Sequence, residues 1–179
     1  MLKIVHIPNS VLTTPSKPVT KIDKKIKDLV FEMEETLLAC VDPQGVGLAA
    51  PQVGINLQLF IIKPDEDSDT EVFINPKILE VEKKPHSAKA TRGKQKNEQL
   101  EGCLSIPKIW SPVRRPEKIL LEYQDLTGEK KTEWFTKFKA IIIQHEVDHL
   151  HGILFTQRSV EQNLPLYEEK NDELHKIEF

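Results

Sequence analysis

Apolar side chains recur at Ile22, Ile26, Leu29, Val30, Met33, Leu37 and Leu38, three and four residues apart. That spacing predicts an amphipathic helix with one stripe to bury, and it makes Met33 and the following Cys40 core residues. Ahead of it, Pro8, Pro15 and Pro18 among Ser and Thr predict an extended, turn-rich lead-in. Downstream, LQLFII, EVFIN and ILEVE read as short β-runs parted by Pro and acidic turn residues, and ILLEY turns at Asp125 to Gly128 to return as KKTEWF. From about Thr136 a second stripe, Phe138, Ile141, Ile142, His145 and His149, predicts another helix with Gly152 as its stop. Helix, strands, helix without alternating βαβ units is an α+β order. The expected fold is mostly antiparallel strands packed around a central helix, with an N-terminal helix before them.

Two segments depart from that pattern. Residues 83–99, KKPHSAKATRGKQKNEQ, set six basic residues against Glu98 alone and read as a long, exposed, flexible basic loop. Residues 159–179 set six acidic residues against Lys170 and Lys176 and form an acidic tail, with a weak signal for a short amphipathic helix after Pro165. With 179 residues the chain is expected to be one catalytic domain, 1–179. A net charge of −3 offers no global field for nucleic acid or acidic lipid, so DNA and membranes are not expected partners. Two cysteines make no disulfide framework, and no stretch is long enough for a secretory core or a membrane span; the cytoplasm is the expected location.

His145-Glu146-Val147-Asp148-His149 is a His-Glu-x-x-His motif on the second predicted helix. Histidines four apart share a helical face and can reach one metal ion, with Glu146 beside the coordination sphere. A catalytic ion needs a third protein ligand and an open position for water. Cys103 in EGCLSIP is the best candidate, because Gly102 leaves room for approach and a thiolate is a strong, soft ligand; an inert buried thiol is the alternative at this point. In GVGLAAPQ, small residues such as Gly47 let backbone approach a ligand, and Gln52 offers an amide donor.

Together GVGLAAPQ, EGCLS and HEVDH resemble, in order and form, the three motifs of the peptide deformylase family, and the likeness runs from Lys17 to Phe155. The resemblance implies a metallo-hydrolase that removes the formyl group from the N-terminal methionine of newly made proteins and releases formate. It implies one divalent metal on Cys103, His145 and His149, Fe(II) first with Zn(II) or Ni(II) as alternatives. Glu146 would be the general acid/base, and Gln52 with the Leu104 N–H would hold the developing oxyanion. Glu101 and Arg115 would pair and support the EGCLS strand; Asp148 is left open between supporting a metal ligand and contacting Arg115. Val46, Gly47, Gly102, Phe138, Ile141 and Ile142 are the expected substrate-binding set. The partners implied are N-formyl-methionyl nascent peptides and the ribosome. The chain departs from the family in its longer basic stretch and in an acidic tail where some bacterial members carry a basic ribosome-docking helix, which puts ribosome binding in doubt. A general His-Glu-x-x-His endopeptidase leaves EGCLS unexplained. An inactive metal-binding relative would lack Glu146 or Gln52, and both are present.

Overall fold

A computed structural model describes residues 1–82 and 100–178. The predicted basic loop, 83–99, lies outside the described residues. The first helix, α1, spans Lys24–Leu38. Asp23 caps it by accepting from the Lys25 and Ile26 amides, donors with no partner inside the helix. Five antiparallel strands form one sheet in the order β1 (Gly47–Ala49), β2 (Leu59–Ile62), β3 (Glu71–Val81), β6 (Lys118–Gln124), β7 (Lys130–Thr136). A second sheet runs β4 (Glu101–Cys103), β5 (Ile106–Ser111), β8 (Tyr167–Lys170), β9 (Glu173–Lys176). The helices α2, Lys137–Leu150, and α3, Phe155–Glu161, complete the chain. This is the expected α+β architecture.

The four-residue apolar run of β2 has its reason in the layering. Leu59 and Ile61 join Ile26, Val30, Met33 and Leu37 of α1, whereas Phe60 and Ile62 join Ile142, Ile143 and Val147 of α2. Both faces of the strand are therefore inside, and each fully buried side chain there contributes roughly 1.5–3 kcal/mol. Phe60 stacks on Phe73 of β3 at 4.7 Å between centroids. As the central helix, α2 is buried nearly all round, including the polar Gln144, Glu146, Asp148 and His149.

Three expectations change. EVFIN and ILEVE are not separate: they form one eleven-residue strand, β3, whose register shifts between Ile74 and Lys77 where Pro76 sits. Asn75 there has φ +50°, and its amide bonds Val19 and Gln124. Cys40 lies just past α1 and is only half buried, because the helix has already turned its stripe inward at Leu37. After Pro165 there is no helix but the β8–β9 hairpin. Asn171 and Asp172 turn it, both at positive φ (+52° and +62°), the conformation that a two-residue hairpin turn requires. No helix among the described residues is long and apolar enough to cross a membrane.

Candidate metal centre

Leaving β7, the chain enters α2 at once, so the histidine motif falls in the second half of a helix held on several sides. The rings of His145 and His149 lie 5.0 Å apart, one turn from each other, and His145 stacks on Phe155 of α3. Cys103 closes β4, and its Sγ is 3.2 Å from His149 Nε2. The three ligand atoms of Cys103, His145 and His149 all fall within 4.8 Å of one another. Glu101, two residues before Cys103 in the same strand, accepts from His145 Nδ1 at 3.1 Å and so leaves Nε2 to face the cluster.

Electrostatics mark this as a site for positive charge. Burial opposes ionisation of Cys103, yet the imidazoles of His149 and His145 pull its thiol well below the usual range. Burial likewise opposes protonation of His145, but hydrogen bonds to Cys103 and Glu101 push it up to about 10. A thiolate thus sits with positive charge held beside it, the role a bound cation would take. Burial pushes Glu146 up to about 6, and its Oε2 has no hydrogen-bond partner. One thiolate, two imidazoles and an unpartnered buried carboxylate oxygen are a donor set that fits one divalent ion and a water beside it.

Gln52, 1% exposed, sits in the turn after β1. Its Oε1 accepts from the Ala49 amide at 2.8 Å, which aims Nε2 at Cys103 Sγ, 3.5 Å away. Leu104 follows the Cys103 ligand atom directly and lines the same cleft. That cleft has a volume of about 570 Å³ and is walled by Val46, Gly47, Gly102, Phe138, Ile141 and Ile142 along with His145 and Glu146. The structure therefore brings together every candidate site residue of the sequence. Ile142 belongs at once to the cleft and to the core.

Glu101 and Arg115 form a buried pair, with Nε donating to Oε1 at 2.6 Å and Nη2 to Oε2 at 3.0 Å. The network extends further than the sequence indicated. Arg115 Nη1 donates to Asp148 at 2.8 Å, and Arg158 of α3 donates twice to the same carboxylate, at 2.7 and 3.1 Å. Two buried acids are balanced by two guanidiniums, so the strand carrying Cys103 and the helix carrying both histidines are locked together. Burial opposes the charge on Glu101, but hydrogen bonds from His145 and Arg115 hold its carboxyl below the usual range. Nothing local singles out Arg158 or the cleft residue Trp110; their partners lie ten and fifty-nine positions away.

A profile of the family described as Polypeptide deformylase matches residues 1–164. The peptide deformylase of Dictyoglomus thermophilum is 40% identical over 164 residues, covering 90% of this chain and 95% of the relative. Peptide deformylase 1 of Bacillus cereus is 41% identical over 158 residues, 88% of this chain and 92% of its own length. Among solved structures, the peptide deformylase of Thermotoga maritima superposes with a TM-score of 0.73 at 36% identity, over 88% of this chain and 97% of that one. A Synechococcus elongatus peptide deformylase, crystallised with actinonin, gives 0.73 and 36% over 88% and 79%.

Proposed function

The chain belongs to the polypeptide deformylase family and removes the N-formyl group of nascent peptides, and we propose that it does so as one catalytic domain with a divalent ion on Cys103, His145 and His149 and Glu146 as proton carrier. The observation that carries this reading is the buried, partnerless Glu146 Oε2 beside three convergent ligand atoms, in a cleft whose wall includes the apolar Val46, Ile141 and Ile142. When bound there, the ion supplies Lewis acidity and lowers the pKa of a coordinated water toward neutrality.

The chain's own residues do the rest. Glu146 takes the proton of the attacking water and returns it to the leaving amine, which amide cleavage requires because an amide anion leaves poorly. Burial raises its pKa from the ordinary carboxylate value, toward the range where a group both accepts and gives a proton. As negative charge builds on the formyl oxygen, Gln52 Nε2 and the Leu104 N–H donate to it, each worth roughly 3–4 kcal/mol. Gln52 needs no rearrangement to do so, since the Ala49 amide already fixes its orientation. Glu101 holds the His145 ring, with Arg115 behind it. Val46, Phe138, Ile141 and Ile142 offer an irregular apolar wall suited to the unbranched thioether of methionine, whose burial is worth roughly 2–3 kcal/mol.

We assign Fe(II) as the ion in cells on the family likeness; thiolate and imidazole donors take Zn(II) and Ni(II) as well. The compartment we assign is the cytoplasm, in keeping with two free cysteines. For the ribosome, the acidic β8–β9 hairpin offers the wrong charge, so any contact with RNA would fall to the basic 83–99 segment.

The test is formate release from formyl-Met-Ala-Ser. Glu146→Gln should keep one metal per chain by elemental analysis while losing at least 10²-fold in kcat; near-normal turnover would refute the proton-carrier role. Cys103→Ser should lose metal and turnover together, and full metal with wild-type rates would refute the ligand set. Replacing the first methionine by norleucine should change kcat/KM little, and replacing it by alanine should cost roughly 10–100-fold.

A further inference from the structure

The matched family profile ends at residue 164, and the hairpin β8–β9 lies beyond it. It nevertheless reaches the cleft. Its root is tied beneath β5, where Ser111 Oγ donates to the Pro165 carbonyl at 2.9 Å. β8 then adds to the edge of β5, with Trp110 opposite Tyr167 and Ile109 opposite Glu168. In that register Glu169 falls diagonally across from Trp110 on the same face of the sheet. The indole Nε1–H donates to Glu169 Oε2 at 2.7 Å. An indole nitrogen can only donate, so a carboxylate is its strongest available partner, and the bond is charge-assisted.

The ring so held lies over Gly102. A Cβ on Gly102 would come within 2.6 Å of Trp110 Cζ3 and 2.8 Å of Cε3, so this glycine is where β4 makes room for the indole. Gly102 stands between Glu101 and Cys103, whose side chains turn to the other face of β4, toward His145 and His149. Trp110 therefore reaches neither the metal ligands nor the formyl group, yet it lines the same continuous cleft.

From this we infer that the C-terminal hairpin is part of the active site: Glu169 is a positioning residue that sets Trp110 as an aromatic wall, and Trp110 selects apolar or aromatic side chains that follow the first residue of the peptide. The inference rests on the hydrolase reading above, because it takes the formyl end to lie at Cys103 and the first side chain in the Val46, Ile141 and Ile142 pocket. A peptide leaving that pocket along the cleft then passes the indole. Its later side chains gain aromatic contact only if the ring is held in place.

The experiment uses the full-length, metal-loaded protein with formyl-Met-Gly-Gly, formyl-Met-Phe-Gly and formyl-Met-Gly-Phe. The wild type should favour at least one phenylalanine peptide over the glycine peptide by fivefold or more in kcat/KM, through KM. Glu169→Leu should cut that ratio below twofold, as should Trp110→Ala. Glu169→Gln, whose amide oxygen still accepts from the indole, should restore it. The chain has two tryptophans, so in a Trp134→Phe background Trp110 is the sole indole. There, acrylamide quenching should rise at least twofold in Glu169→Leu and stay near wild type in Glu169→Gln. Should Glu169→Leu not fold, Glu169→Ser, too short to reach the ring, replaces it. An unchanged peptide ratio in the Leu or Ser variant, or unchanged quenching, would overturn the role of the hairpin. Absence of formate from all three peptides with the wild type would overturn the reading of the site, and this inference with it.

Discussion

Gly47→Ala separates the fold from the chemistry most cleanly. Gly47 lies in β1 and is not one of the glycines at positive φ, so alanine meets no backbone strain there. Its Cβ, however, would stand 2.4 Å from Glu146 Oε1, 2.9 Å from Cδ and 3.0 Å from Ile142 Cγ2. Restoring an ordinary contact of roughly 3.4 Å moves the carboxylate by about 1 Å. The atom that moves is the far end of a flexible side chain, so the fold should lose only about 1 kcal/mol. The chemistry should lose far more, because proton transfer needs a heavy-atom separation of roughly 2.6–3.2 Å, and a 1 Å misplacement is worth about 10²-fold in rate. That is roughly 2.7 kcal/mol in the barrier. In a coupled assay of formate release, kcat should fall about 10²-fold while KM changes less, metal content stays at one per chain, and the urea midpoint moves little. A kcat within threefold of wild type in a fully metallated Gly47→Ala protein would show that Glu146 does not act from where the structure puts it.

Arg115→Met leaves the buried Glu101 carboxylate with His145 Nδ1 and the buried Asp148 carboxylate with Arg158, each short of its central guanidinium partner. Urea denaturation should show a loss of about 3–5 kcal/mol, and chelator competition should show metal binding weakened by roughly 10–100-fold; an affinity within twofold of wild type would break the proposed link to His145. Gly152 has φ +71°, and a Cβ there would lie 2.7 Å from the Thr13 carbonyl carbon, which is backbone and cannot swing aside. Gly152→Ala should therefore cost about 2–4 kcal/mol from left-handed strain plus the clash, and a loss under 1 kcal/mol by urea titration would contradict this packing. Burial, and after it Glu133 beside it, pushes the Tyr123 phenol up to about 12. The folded chain keeps that proton while the unfolded chain loses it near 10, so stability is intact below pH 10 and falls as pH rises from 10 to 12. Absorbance at 295 nm should find Tyr123 still largely protonated at pH 11 in the native protein, a late step absent from Tyr123→Phe; complete tyrosine ionisation at that pH would refute it.

What could be read along the chain was whatever a few neighbouring residues decide. The three-and-four spacing around Met33 and around His145 marks two helices, because helical periodicity is local; that the second is buried nearly all round is a matter of tertiary packing. Residue chemistry at short range likewise made Cys103, His145, His149, Glu146 and Gln52 the candidates of the site. The LQLFII run marked a strand, though not that both its faces are buried, α1 covering one and α2 the other. The hairpin after Pro165 had only the turn-forming Asn171-Asp172 pair to announce it, because its two strands are mostly charged and carry no apolar alternation. Other features belong to the tertiary structure alone. Gly47 is small because Glu146, ninety-nine positions on, occupies the space a side chain would need. Arg115 clamps Glu101 and Asp148, and Glu169 steadies Trp110, only because particular strand edges meet in particular registers. Such meetings depend on which apolar faces bury against each other, a free-energy balance over the whole chain, and no local stretch of sequence contains that balance.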